Sequence, residues 1–359
     1  MKLGVSVGYW GVGGMTADEQ LHIARTAEQL GYDSLWAAEA YGSDAATVLA
    51  WLAAGTGTIK IGSAVLQIPG RSAAMTAMTA ATLDRLSAGR FVLGLGASGP
   101  QVSEGWHGVR FDRQIQRTRE YIAVVRMALS RQLVSIAGET LTLPLPDGPG
   151  KALKLTITPV QERVPIYLAA LGPNNVALAG EIADGWLPLF FAPEHVTALH
   201  APLEEGARRS GRSLTGFRVC PSVNVAIDDD VTAARNSLRP SLALYIGGMG
   251  SRQQNFYNRL VISYGFARAA AQVQDLYLRG RKLEAAAALP DELVDLVCLV
   301  GRAEQVRARL RAFGDAGVHT LIVSPVAPDA AGRERQLRLV AELAAGVVEP
   351  TAPVPGRST

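Results

Sequence analysis

Short runs of Val, Ile and Leu recur along this chain with longer stretches of helical periodicity between them, and no other feature narrows the possible folds so far. Such alternation builds parallel sheets. Each strand must return to the same direction through a crossover helix, and a strand covered on both faces reads as a continuous apolar run. Candidate strands begin near Leu3 (LGVSVGY), Asp33 (DSLWAAE), Ile59 (IKIGSAV), Arg90 (RFVLGLG), Pro165 (PIYLAA), Asp184 (DGWLPLF), Phe217 (FRVCPSVNVAI) and Thr320 (TLIVSP). Their count is the one that closes a cylinder, so the pattern predicts an α/β fold of the (β/α)8, or TIM-barrel, class.

The intervening helices have readable ends. Thr16 and Glu19 form a capping box, Ile23, Ala27 and Leu30 follow on one face, and Gly31 stands at the C-terminal cap. Further helices are predicted from about Ala45 to Ala54, Ala73 to Leu86, Asp112 to Leu129 and Asn174 to Ile182. Two stretches break the rhythm. Residues 132–162, which contain PLPDGPG, alternate well enough for an added hairpin, and 245–300 read as an insertion of helices with a start signal at Pro290. In a barrel a connection as long as the second suits a lid or extra subdomain on the active-site face. Residues 1–346 are therefore expected to be one barrel domain, and the Pro-rich residues 347–359 a flexible tail.

Composition excludes several classes. The 35 basic and 32 acidic residues leave a net charge of only +3, without the basic stripe that a phosphate backbone requires, so no nucleic-acid partner is expected. Cys220 and Cys298 are the only cysteines and have no ligand spacing, which speaks against a disulfide framework and a zinc site. No apolar run of about 18 residues suggests a membrane span or signal peptide, so a cytoplasmic location is expected.

Barrel chemistry belongs on the loops after the strand C-termini. GLGASG, Gly94 to Gly99, matches a dinucleotide-binding string, but PQVSEGWHGVRF follows it with no apolar helical period, so the glycines are read as allowing backbone to approach a flat ligand. ALGPNN, residues 170–175, opens a helix with Asn174 near its cap, where free N–H groups suit a phosphate. His107 is the one histidine of five in a strand-end loop, flanked by Glu104 and Trp106, and its ring suits proton transfer. Glu39 closes the second strand, where a buried carboxylate needs a partner; both are candidates for catalysis.

The segments LGVSVGYWG, ADEQLHIARTAEQLGYDSLWAAEAY, IKIGSAVLQIPGRSAAMTAMTAATLDRLSAGRFVLGLGASGPQVSEGWHGVRF and PIYLAALGPNNVALAGEIADGWLPLFF resemble the luciferase-like monooxygenase superfamily. The likeness covers roughly residues 1–330 and is strongest to its deazaflavin branch, which YIGGMGSRQQNFYN also resembles. It implies coenzyme F420 as cofactor, with a non-prolyl cis peptide at the bulge Ser63, Ala64 and Val65 against one ring face. Gly96, Ala97, Ser98 and Gly99 would line a second side, and Ala169, Ala170, Leu171, Gly172 and Asn174 the phosphate end. Tyr9, Trp10, Trp106, His107 and Phe190 would shape the substrate pocket. Several deazaflavin-using relatives carry an Asp-His pair at the end of strand two; here Glu39-Ala40 stands instead, so a proton must come from His107, Glu39 or Tyr41, or from substrate and water. The implied activity is hydride transfer to or from a small substrate, by a homodimer. The alternatives are an FMN-dependent monooxygenase supplied by a separate reductase, and a non-catalytic flavin-binding barrel.

Overall fold

A computed structural model describes residues 1–8 and 14–346. Its barrel strands are β1 (Lys2–Gly8), β2 (Ser34–Ala37), β3 (Lys60–Ser63), β4 (Phe91–Gly96), β5 (Ile166–Ala169), β6 (Gly185–Trp186), β7 in two pieces (Arg218–Val219 and Ser222–Ile227) and β8 (Thr320–Pro325). Neighbours pair in parallel from β1 through β6, and β8 returns to β1 with Lys2 opposite Thr320. The first piece of β7 pairs with β6 and the second with β8. Across the two intervening residues the Cys220 N–H donates to the Trp186 carbonyl at 2.8 Å and the Ile322 N–H to the Pro221 carbonyl at 2.9 Å, so the sheet closes.

Most strand positions are fully buried, which is why the strands read as unbroken apolar runs. Inside the barrel Trp36, Val92, Tyr167, Leu187, Cys220 and Ile322 form one packed stack, while a larger core lies between the sheet and its helices. Gly62 makes room for the largest member: a Cβ there would fall 2.4 Å from the Trp36 ring. The first helix, Ala17–Gln29, starts on the expected capping box, with the Glu19 N–H donating to Thr16 Oγ1 and the Thr16 N–H to Glu19 Oε2.

Both irregular stretches carry structure. In 132–162, Ile136–Ala137 pairs antiparallel with Thr142–Leu143, so the added hairpin exists, but its turn lies at 138–141 rather than in PLPDGPG. Glu120 explains the position. Its carboxylate accepts from the Glu139 and Thr140 N–H groups and the Thr140 hydroxyl, drawing the turn onto the helix Gln114–Leu129.

The second stretch forms helices Phe256–Ser263, Ala267–Leu278, Lys282–Ala287 and Asp291–Val297, the last capped at Pro290. They share a hydrophobic core with Phe190 and Ala192 after β6, Ala226 on β7 and Val326 after β8, all at or beyond strand C-termini. The insertion therefore covers one side of the C-terminal mouth. Leu299–Gly301 then runs parallel to Val225–Ile227 on the side that β6, ending early, leaves open.

Candidate active site

The floor of the C-terminal mouth is made where β3 and β4 part. Ser63 Oγ donates to the Gly94 carbonyl at 2.8 Å and accepts from the Gly94 N–H at 2.9 Å, fastening the two strands, and a Cβ on Gly94 would fall 1.8 Å from the Ser63 carbonyl oxygen. Only glycine permits this approach. Beyond Ser63 the chain turns through Ala64 and Val65, whose peptide bond is cis, and rejoins β4 with Leu66 opposite Leu95 and Gln67 opposite Gly96. Val65 lies over Gly96, where an added Cβ would fall 2.7 Å from its Cγ2. Ala64, Val65 and Ala169 are half-buried on the barrel stack and form a low apolar surface at the mouth, bordered by the half-buried Ala97, Ser98 and Gly99.

One wall is polar, and Gln67 is its centre. Its amide donates from Nε2 to Ser98 Oγ at 3.0 Å, and its Oε1 lies 2.9 Å from His107 Nε2. With Oε1 as acceptor the imidazole carries a hydrogen on Nε2, and its Nδ1 has no partner among the described residues. Ser98 holds φ +61, a left-handed conformation rare for a residue with a side chain and concentrated at ligand sites. His107 thus keeps the candidacy it had from sequence.

Glu39 does not. Its side chain is only 7% exposed, and Oε1 accepts from the Gln67 backbone N–H at 2.8 Å and from Arg71, while Oε2 accepts from the Ala45 N–H at 3.2 Å. Arg71 also reaches Asp44, which caps the helix Ala45–Gly55. Burial lowers the Arg71 pKa, but Glu39 and Asp44 more than reverse this and the guanidinium is held charged. These contacts make Glu39 the clasp joining the loops after β2 and β3, with its lone pairs turned to donors rather than to the mouth.

Other site residues also depart from expectation. Phe190 is 3% exposed and packs against Tyr245 and Tyr257, with its carbonyl accepting the Tyr264 hydroxyl at 2.8 Å. It anchors the insertion instead of lining a substrate pocket, in a left-handed conformation of φ +57. Trp106 is 66% exposed at the end of a short helix, Pro100–Gly105, that directly follows GLGASG. That helix was not legible from sequence, but β4 lies within a closed barrel, so the dinucleotide-fold reading stays excluded. Tyr41 is an exposed rim residue, and Glu104 accepts the Phe111 N–H at 3.1 Å. Tyr9 and Trp10 lie outside the described residues.

At the phosphate end the helix Pro173–Ile182 is capped by Gly172, not Asn174, and no side chain caps it. Pro173 has no N–H, and those of Asn174 and Asn175 precede the first intrahelical donor, Val176. Leu171 and Gly172 are half-buried beside them, and the loop is pinned by the Trp186 indole N–H donating to the Ala170 carbonyl at 2.9 Å. Gln101 Nε2 donates to the Gly250 carbonyl at 3.1 Å, tying the insertion to the loop after β4. Sequence reasoning missed Gln67 and Arg71; the signal was a lone Gln and a lone Arg within AVLQIPGR. Among the described residues no group of three or more His, Cys, Asp and Glu side chains could hold a metal, and no helix is long and apolar enough to cross a membrane.

The arrangement defines a closed parallel barrel with a ligand mouth at its C-terminal face, apolar below and polar along one wall. The model of the luciferase-like monooxygenase family matches residues 3–320, and the chain belongs to that family. It is 43% identical, over 96% of its length and 99% of the relative's, to a Mycobacterium tuberculosis protein whose name assigns it to the coenzyme F420-dependent oxidoreductases. Among solved structures, the coenzyme F420-dependent tetrahydromethanopterin reductase of Methanopyrus kandleri superposes with a TM-score of 0.80 at 23% identity, covering 95% of this chain and 97% of that one. An F420-dependent secondary alcohol dehydrogenase, solved with an F420–acetone adduct, gives a TM-score of 0.78 at 18% identity, covering 97% of this chain and 99% of that one.

Proposed function

We propose that this protein is a coenzyme F420-dependent oxidoreductase that moves a hydride between the deazaflavin and a small organic substrate. The observation that carries the reading is the 43% identity, end to end, to a relative named for that cofactor. The residues fit the group. The low surface of Ala64, Val65 and Ala169 offers a flat aromatic ring apolar side chains to pack on, and the N–H groups of Asn174 and Asn175 suit a phosphate at a helix start.

Bound there, coenzyme F420 supplies a two-electron hydride donor or acceptor. The chain supplies position and proton. His107, oriented through Nε2 by Gln67, presents Nδ1 to take or give the proton at the substrate oxygen or nitrogen as the hydride moves. Gln67 and Ser98 hold that wall fixed, and the insertion tied through Gly250 limits the access of water. The partners are then a small-molecule substrate and the cofactor.

Equilibrium titration of the purified protein with F420 and, separately, with FMN at matched ionic strength tests this through cofactor fluorescence. Saturable F420 binding far tighter than FMN binding is expected. Tighter FMN binding, with oxygen consumed during turnover, overturns the reading in favour of a flavin monooxygenase.

A further inference from the structure

A second polar cavity lies at the opposite, N-terminal end of the barrel, beneath the Trp36 stack. It measures about 70 Å³ and is lined by Lys2, Asp33, Lys60, Arg218, His319 and, deeper, Ser34, Trp36, Tyr167, Cys220 and Thr320. On the same measure one water needs ~10–15 Å³, so the space suits several waters or one tetrahedral anion. All the charged members stand at strand starts, which is how five separate segments reach one point.

The charges do not balance. Asp33 accepts from Lys2 Nζ at 2.8 Å and Lys60 Nζ at 3.1 Å, so one carboxylate serves two ammonium groups. Arg218 adds a third cation, exposed at the rim, whose guanidinium has no hydrogen-bond or ion-pair partner among the described residues. The next carboxylate, Asp184, is already held by Arg126 and Arg163. Three fixed cations against Asp33 leave an excess of two positive charges around the cavity. The deeper groups do not offset it. Burial pushes the Cys220 thiol up to about 12 and raises the Tyr167 phenol, so both stay neutral. His319 responds to the same field. Burial, then Arg218, Lys2 and Lys60, push it down to about 4 against the opposing pull of Asp33. Ser34 Oγ accepts the Trp36 indole N–H at 3.0 Å, which leaves the serine hydrogen free to donate to an anion.

We propose that this cavity binds a small oxyanion, either inorganic phosphate or the phosphate group of a small metabolite, with Arg218, Lys2 and Lys60 as its cationic ligands and Ser34 as a donor. The site is separate from the C-terminal mouth and stands whatever cofactor that mouth takes. An anion bound only by the folded protein stabilises it by mass action.

The test is thermal unfolding and calorimetric titration of the full chain with sodium phosphate and with glycerol phosphate, sodium chloride holding ionic strength constant. Saturable stabilisation by at least one phosphate, absent with chloride, is expected. Arg218→Gln removes an exposed, unpartnered side chain and should weaken that binding at least about tenfold. Lys60→Gln, an exposed position in β3, should weaken it too, while cofactor titration is unchanged in both variants. Inorganic phosphate alone acting identifies a free ion; glycerol phosphate acting more strongly identifies a metabolite headgroup. No saturable response, or one undiminished in Arg218→Gln, overturns the proposal, the latter assigning the phosphate to the helix start at Asn174.

Discussion

Replacing Glu39 with alanine separates a structural clasp from a catalytic acid, because the two roles predict opposite losses. The carboxylate accepts from the Gln67 and Ala45 N–H groups and from Arg71 while nearly buried, so truncation leaves two backbone donors and a guanidinium short of an acceptor. Removing one partner of a buried pair costs about 3–5 kcal/mol. Asp44 still pairs with Arg71, which places the expected loss near the lower end, about 3 kcal/mol. Glu39→Gln keeps a carbonyl for one donor and should lose roughly half as much, since a neutral acceptor is weaker than a charged one. Urea unfolding of the three proteins reads the differences as shifts of midpoint at constant slope. A Glu39→Ala protein within about 0.5 kcal/mol of the parent, with turnover down about 100-fold, would refute the clasp and restore Glu39 as the proton donor.

His107→Ala should lower turnover about 100-fold with cofactor affinity intact, measured by steady-state kinetics alongside fluorescence titration; unchanged turnover removes it from proton transfer. His319 is depressed from 6.5 to about 4 in the folded chain, so between these values the unfolded chain binds more protons. Its contribution to stability is complete above about 6.5 and lost as pH falls toward 4, and unfolding midpoints across that range should be flatter in His319→Gln than in the parent. Phe190→Ala should destabilise by about 3–5 kcal/mol and speed hydrogen exchange in the helix Phe256–Ser263 before it affects the barrel strands. Equal acceleration across both would show that the insertion has no separate anchorage there.

The barrel was legible because each βα unit announces itself locally. The helix Ala73–Leu86 begins and ends where its periodicity does, and the capping box at Thr16 needs only residues three apart. What was not legible depends on partners far along the chain. PLPDGPG carries the stronger turn chemistry, yet the hairpin turns at 138–141 because Glu120, about twenty residues earlier, offers its carboxylate to two backbone N–H groups. Pro100–Gly105 makes less than two helical turns, too short for an apolar period to show. Glu39 had the right chemistry at a strand end, but its fate is settled by Arg71, 32 positions on. Phe190 stands in the loop after β6 where the strand pattern puts it, but the insertion that buries it returns more than fifty residues later, beyond the reach of local pattern.

Beyond strand β2 this chain carries Glu39-Ala40, and the carboxylate is turned into the clasp between the β2 and β3 loops. The clasp acts on Gln67 through its backbone, and the Gln67 side chain in turn fixes His107 and Ser98 on the β4 side. One residue therefore joins a structural network to the only imidazole of the wall. With His107 as the proton carrier proposed above, a substrate has to approach with its basic atom on the β4 side of the mouth. A substrate whose basic atom cannot reach that side is not expected to turn over, even when it fits against the apolar surface of Ala64, Val65 and Ala169.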